Sequence, residues 1–182
     1  MNRRAGFVLA VAAAIALVLL AWRVGGIRFG ASPPAVVSAD TTQVGLRSVT
    51  LWFANENGDS LVSEVRETPE QEGLHERVSQ LVDALARGPE HGGVAVMPAG
   101  TSVLHVYLDD HGLLTLDLSR AFQQGFHGGT RGEELVIGSL MRTLASNLPE
   151  VKQVLVVCGG APIASLGGHL PLDRPIDPHE GF

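Results

Sequence analysis

The sequence predicts an α+β domain with two amphipathic helices packed on one mixed β-sheet, preceded by an N-terminal transmembrane helix. Residues 5–22 form an unbroken apolar run. Two later segments repeat apolar residues at helical spacing, and strand-like segments surround them in the order β-β-α-β-β-α-β. The chain has 182 residues, 45% of them hydrophobic and 18% charged, which suits one domain, excludes a disordered chain and argues against a multi-domain enzyme.

Charge and cysteine content exclude several classes of protein. Cys158 is the one cysteine, so neither an intrachain disulfide framework nor a multi-cysteine metal site can form. Residues 29–182 hold nineteen acidic and nine basic residues, a balance of -10. Such a body repels phosphate backbones, so we expect no nucleic-acid binding by the globular part.

The apolar run of residues 5–22 predicts a membrane anchor spanning residues 1–28. Its eighteen residues would rise about 27 Å as a helix, close to the ~30 Å hydrocarbon core of a bilayer. A cleaved signal peptide is the alternative, but the nearest small-x-small cleavage site is Val37-Ser38-Ala39, far beyond the run. We therefore expect an uncleaved single-pass anchor, with the amino end in the cytoplasm and the body outside the cytoplasmic membrane.

A linker and a hairpin follow the anchor. Residues 29–45 are rich in Pro, Ser and Ala without helical period, which predicts an extended linker before a domain of residues 46–182. Residues 46–53 and 60–67 alternate apolar and polar side chains around the turn residues 55–59, which predicts a β-hairpin.

The first helix is predicted between Thr68-Pro69, an N-cap followed by a proline, and Gly88-Pro89, a helix stop. The second is predicted from Thr130, with Glu133 at capping-box spacing, to Pro149. Their apolar faces comprise Leu74, Val78, Leu81, Val82 and Leu85 in the first helix and Ile137, Leu140, Met141, Leu144 and Leu148 in the second.

The remaining strands are predicted at residues 102–108 and 113–118, a second hairpin, and at residues 153–158. The last of these is almost wholly apolar, so we expect it to be central and covered. A short final strand is predicted near residues 164–166.

Several side chains are of types that can catalyse a reaction or bind a metal, and each also has a simpler structural interpretation. Ser119, His127 and Asp117 could be drawn as a hydrolase triad, but no G-x-S-x-G elbow is present. We interpret Cys158 as an unreactive thiol buried in the core. A metal cluster would require folding together His169, Asp173, Asp177 and His179.

The glycine-rich segment of residues 128–132 precedes a helix and contains Arg131, so it could bind an anion. A capped turn is the simpler interpretation, because Glu133 and Glu134 already supply negative charge there. We therefore predict no catalytic, cofactor-binding or metal-binding residue.

Six motifs, in order over residues 46–175, resemble the GerMN family of sporulation and germination domains. They are Leu85-Ala86-Arg87-Gly88-Pro89, Met97-Pro98-Ala99-Gly100-Thr101, Leu116-Asp117-Leu118-Ser119 with Phe122, the helix from Gly132 to Leu144, the strand from Val154 to Gly159, and Leu166-Gly167-Gly168-His169. One departure is Cys158, where the family usually has an acidic residue before the glycine. A single copy is present, whereas the best-known members carry two.

The resemblance implies a small α/β domain similar to ring-building motifs, with a binding or scaffolding role and no known catalytic residues. Our hypothesis is a non-catalytic envelope module that binds envelope proteins or peptidoglycan, as a homo- or hetero-oligomer. The alternatives are an envelope hydrolase or metal-dependent cell-wall enzyme, and a ligand sensor. An enzyme requires a concave pocket with convergent polar groups, whereas a scaffold requires an exposed strand edge or apolar patch.

Overall fold

The computed structural model describes residues 45–180. The predicted anchor and all but the last residue of the predicted linker lie outside this range. Within it, no helix is both long and apolar enough to cross a membrane. The elements are β1 (Leu46–Ala54), β2 (Leu61–Pro69), α1 (Leu74–Arg87), β3 (Val103–Leu108), β4 (Leu113–Leu118), α2 (Ala121–Gln124), α3 (Thr130–Asn147), β5 (Gln153–Cys158) and β6 (Ala161–Pro162).

The α+β class is confirmed, but the prediction of one sheet is wrong. β1 and β2 form a separate antiparallel sheet. The second sheet has the order β3-β4-β5-β6, in which β4 and β5 are parallel and the other pairs are antiparallel. Both sheets contribute their inner faces to one hydrophobic core with α1 and α3.

A polar ridge on α3 explains why β1 does not join the second sheet. Asn147 accepts a hydrogen bond from Thr50 N–H at 3.0 Å and donates to the Thr50 carbonyl at 2.7 Å. One turn earlier, Thr143 Oγ1 accepts from Trp52 N–H at 3.0 Å, and Ser139 donates to the Trp52 carbonyl. The helix therefore occupies the edge of β1 where another strand would pair, and it satisfies the backbone groups that the missing strand would have used.

The predicted helix faces are confirmed by burial. Leu81 in α1 is 2% exposed and Leu140 in α3 is fully buried. The other predicted face residues are also buried, except Leu74, which packs partly buried at the start of α1. The 3.6-residue spacing of the apolar residues therefore predicted correctly which side of each helix faces the core.

Two predicted boundaries and one predicted cap are wrong, while the predicted start of α3 at Thr130 is confirmed. Thr68 pairs with Arg47 in the hairpin, so β2 continues through Pro69 and α1 begins after Gly73. Glu133 caps no helix; Gly129 is the N-cap of α3 and makes no side-chain cap bond. The final strand is residues 161–162, not 164–166, because the Gly159-Gly160 turn reverses the chain directly after β5 with φ of 61° and 79°.

Candidate functional site

One face of the second sheet packs in the hydrophobic core, and the opposite face carries partly exposed side chains. The pairing aligns Tyr107 with Thr115 and Leu155 across the three longer strands. A second row aligns His105, Asp117, Val157 and Pro162. We call these seven residues the open sheet face. Tyr107 is 68% exposed, and no described segment covers it.

Asp117 fixes one side of the open sheet face. Its Oδ1 accepts the Gly160 N–H at 3.0 Å, and its Oδ2 lies 3.2 Å from Nδ1 of His105. Asp117 is 7% exposed, whereas the His105 side chain is 85% exposed. The carboxylate therefore ties the turn after β5 to the sheet and leaves the imidazole available to a partner.

The side chains considered as a hydrolase triad have separate partners. Ser119 Oγ donates to the Gly100 carbonyl at 3.2 Å and accepts from Ser102 N–H at 3.1 Å. His127 Nδ1 lies 2.9 Å from the Gly125 carbonyl, and Asp117 is bonded as described above. The Ser119 and Asp117 contacts both hold the C-terminal end of β4, which is a structural role.

Burial raises the pKa of the Cys158 thiol, and the nearby Asp117 carboxylate adds to that effect; the Gln123 backbone and Arg120 offset them only in part. Its Sγ donates to the Ser119 carbonyl at 3.3 Å. Because the thiolate is the reactive form, Cys158 is poorly suited to nucleophilic or redox chemistry.

The four C-terminal residues considered as metal ligands do not converge. His179 Nε2 faces the Val151 carbonyl at 3.3 Å, and the Asp177 carboxylate accepts the backbone N–H of His179. Among the described residues, Glu64, Glu90 and His91 do have ligand atoms within 4.8 Å of one another. The Glu64 carboxylate there already binds Arg66 and the N–H groups of Glu90 and His91.

A groove of about 520 Å³ lies between the β1–β2 turn, the outer side of α3 and the C-terminal loop. It is lined by Asp59, Ser60, Leu61, Arg131, Glu134, Leu135, Arg142 and Leu170. Arg131, which lies in the segment weighed above as an anion site and interpreted as a capped turn, donates to Glu134 at 3.0 Å and to the Asp59 carbonyl. Arg142 lies over the Trp52 ring at 5.0 Å. These guanidinium groups brace the hairpin against α3, which the sequence did not reveal.

Glu133 is a buried carboxylate whose role sequence reasoning missed. It is 0% exposed, and its oxygens accept the N–H groups of Leu166 at 2.9 Å and His169 at 3.0 Å. Gly167 approaches so closely that a Cβ there would lie 3.0 Å from Glu133 Oε2 and from the Phe126 ring. The glycine of the Leu166-Gly167-Gly168 turn is therefore required by close approach to this carboxylate.

Glu133 should make stability depend on pH. Burial alone would raise its pKa, but backbone N–H groups, first that of Gly167, outweigh burial and hold the pKa of Glu133 below its usual value. A lowered folded-state pKa stabilises the fold above the unfolded pKa of about 4.3, and this contribution is lost as pH falls through the folded-state value. Replacing Glu133 with Gln should therefore lower the free energy of unfolding at pH 7, with the deficit shrinking as the pH falls below about 4.

Chemical denaturation of both proteins across this pH range checks the expectation. Glu134→Gln is the matched control, because the Glu134 side chain is 43% exposed on the next residue of the same helix. A deficit for Glu133→Gln that stays constant with pH, or equals that of the control, would contradict the assignment.

Comparison with known proteins gives both a family match and structural neighbours. The family described as "Germane: Sporulation and spore germination" matches residues 50–164. No curated protein matches the chain.

The fold is similar to the first GerMN domain of the sporulation protein GerM from Bacillus subtilis, with a TM-score of 0.60 and 21% identity, covering 72% of this chain and 97% of that one. Against the tandem GerMN domains of the same protein the TM-score is 0.60 at 18% identity, covering 73% of this chain and only 46% of that chain. A Clostridium perfringens protein described as a lipoprotein gives a TM-score of 0.52 at 19% identity, covering 74% and 89% of the two chains.

Proposed function

The chain belongs to the Germane family of sporulation and spore germination domains, and from this membership we propose that it is a non-catalytic cell-envelope module that binds a protein partner. In this proposal residues 1–28 hold the domain on the outer side of the cytoplasmic membrane, and the linker of residues 29–45 separates the two. The proposal is supported by the apolar N-terminal run and by the fold shared with a sporulation protein and with a protein described as a lipoprotein.

One observation supports binding through the open sheet face. On this face Tyr107 and Pro162 are exposed, and Leu155 and Val157 are partly exposed. Water-facing sheet faces normally carry polar residues, and a group of apolar side chains at such a position is typical of a protein-binding surface. The imidazole of His105 and the hydroxyl groups of Tyr107 and Thr115 would add directional hydrogen bonds to this apolar contact.

Binding rather than catalysis is favoured by how the polar side chains are used. Ser119, His127 and Asp117 each bond to separate backbone groups, and the groove beside α3 has its Arg131 committed to Glu134 and Asp59. An enzyme site would instead aim such groups at a common point.

Site-specific photo-crosslinking in membranes of the host tests the proposal. A photoreactive side chain at position 107 should yield one dominant protein adduct, identified by mass spectrometry. The same group at position 46 should not, although Leu46 and Tyr107 are equally exposed at 68%.

Tyr107→Glu should then weaken capture of that same protein by about 30-fold, as expected when a charge replaces an aromatic side chain that the interface buries, while leaving thermal stability unchanged. Leu46→Glu should have no effect. Equal capture by both variants, or a loss explained by unfolding of Tyr107→Glu, would count against the proposed face.

A further inference from the structure

On the outer edge of β2, every second residue points its unpaired backbone N–H and C=O groups away from β1. The hairpin bonds from Asn55 N–H to the Ser60 carbonyl and from Glu70 N–H to the Gly45 carbonyl fix which residue pairs exchange hydrogen bonds. Those pairs alternate along an antiparallel ladder, so the even-numbered residues of β2 bond to β1. The N–H and C=O groups of Ser63, Val65 and Glu67 consequently point away from β1.

This stretch of β2 is free to accept another strand. No described residue bonds to the backbone of Ser63, Val65 or Glu67, and Val65 is 65% exposed. The β1–β2 pairing runs without a bulge, and Gln80, which donates to the Pro69 carbonyl at 2.9 Å, marks the end of the free stretch. The stretch from Ser63 to Glu67 contains no bulge, lysine or proline, so its outward backbone groups are able to pair with another strand.

We propose that β2 pairs antiparallel with β2 of a second copy of this chain, about a two-fold axis at Val65. In this register Val65 lies opposite Val65 and Ser63 lies opposite Glu67 of the other copy. All three residues point their backbone groups outward, so each opposed pair exchanges both hydrogen bonds. The pairing uses the edge of the hairpin and is independent of the open sheet face.

The charges on β2 select this register. Glu64 lies opposite Arg66 of the other copy, and opposite charges across an antiparallel pair are favourable. Both side chains already form an ion pair within β2 and are 9% and 8% exposed, so their positions are fixed before pairing. A shift of two residues in one direction would place Glu64 opposite Glu64, and a shift in the other would place Arg66 opposite Arg66. A shift of one residue would oppose outward-pointing to inward-pointing backbone groups.

Cysteine crosslinking of the purified full-length chain tests the contact. Val65→Cys should form a disulfide-linked dimer on oxidation, since hydrogen-bonded antiparallel pairs have Cα atoms about 5.5 Å apart, within the range for a disulfide. Tyr107→Cys has nearly the same exposure and should stay largely uncrosslinked. The buried Cys158 is common to both variants. Equal crosslinking of the two would overturn the proposal.

The register has its own readout. A mixture of Ser63→Cys and Glu67→Cys chains should give the mixed disulfide, and neither variant alone should crosslink efficiently. Dominant crosslinking of Ser63→Cys to itself would overturn the two-fold axis at Val65.

Sedimentation of the unmodified chain should show a dimer, and Val65→Pro should give a monomer that keeps the native circular dichroism spectrum. Proline is tolerated at an edge-strand position whose N–H faces solvent, so the hairpin stays intact. A wild-type chain that stays monomeric at its highest soluble concentration, or a Val65→Pro chain that stays folded and dimeric, would overturn the proposal.

Discussion

Replacing Leu140 with alanine is expected to lower the free energy of unfolding by about 2–5 kcal/mol, because a fully buried leucine is lost from a packed core. Leu140 is 0% exposed in the middle of α3 and belongs to the cluster that both sheets share. The cavity would lie where the inner faces of the two sheets meet the helix. Leu81 in α1, which is 2% exposed, should show a loss in the same range.

Chemical denaturation measures this effect directly. Leu46→Ala removes the same atoms from a side chain that is 68% exposed and should change stability little. Losses near zero for both Leu140→Ala and Leu81→Ala would mean that neither helix presents its apolar face to the core.

Replacing Asn147 with leucine is expected to be the second large perturbation. Its amide bonds to both Thr50 N–H and Thr50 C=O and also to the Thr143 carbonyl at 2.7 Å. Leucine has a similar volume but cannot bond, so both Thr50 backbone groups lose their partner beside α3. Each such group left unsatisfied costs about 1–3 kcal/mol where water cannot replace the bond.

Hydrogen exchange and denaturation together check this second expectation. The Thr50 amide should lose protection first in Asn147→Leu, whereas amides of β4 and β5 should change only with global stability. Ser146→Ala is the control on the same turn, since Ser146 accepts a hydrogen bond from the Trp52 indole N–H rather than bonding to the β1 backbone. Unchanged protection of Thr50 would show that the amide of Asn147 does not hold β1.

Most helices and strands, and the family, could be predicted from the sequence. Apolar spacing placed Leu81 and Leu140 in the core, and alternation located both hairpins, because these signals depend only on the geometry of a helix or strand. The predicted GerMN resemblance is confirmed by the family match over residues 50–164. The membrane anchor stays a prediction, because residues 1–28 lie outside the described range.

The tertiary structure decided which elements are neighbours and what the polar residues do. Ser139, Thr143 and Asn147 follow one another every four residues along α3, and only their position beside β1 makes them hydrogen-bond partners for its free backbone groups. Glu133 likewise has the spacing of a helix cap, yet it binds a loop more than thirty residues away. Periodicity along the chain specifies the apolar face of an element, whereas the partner of a buried polar group depends on contacts between distant segments, which a local pattern does not encode.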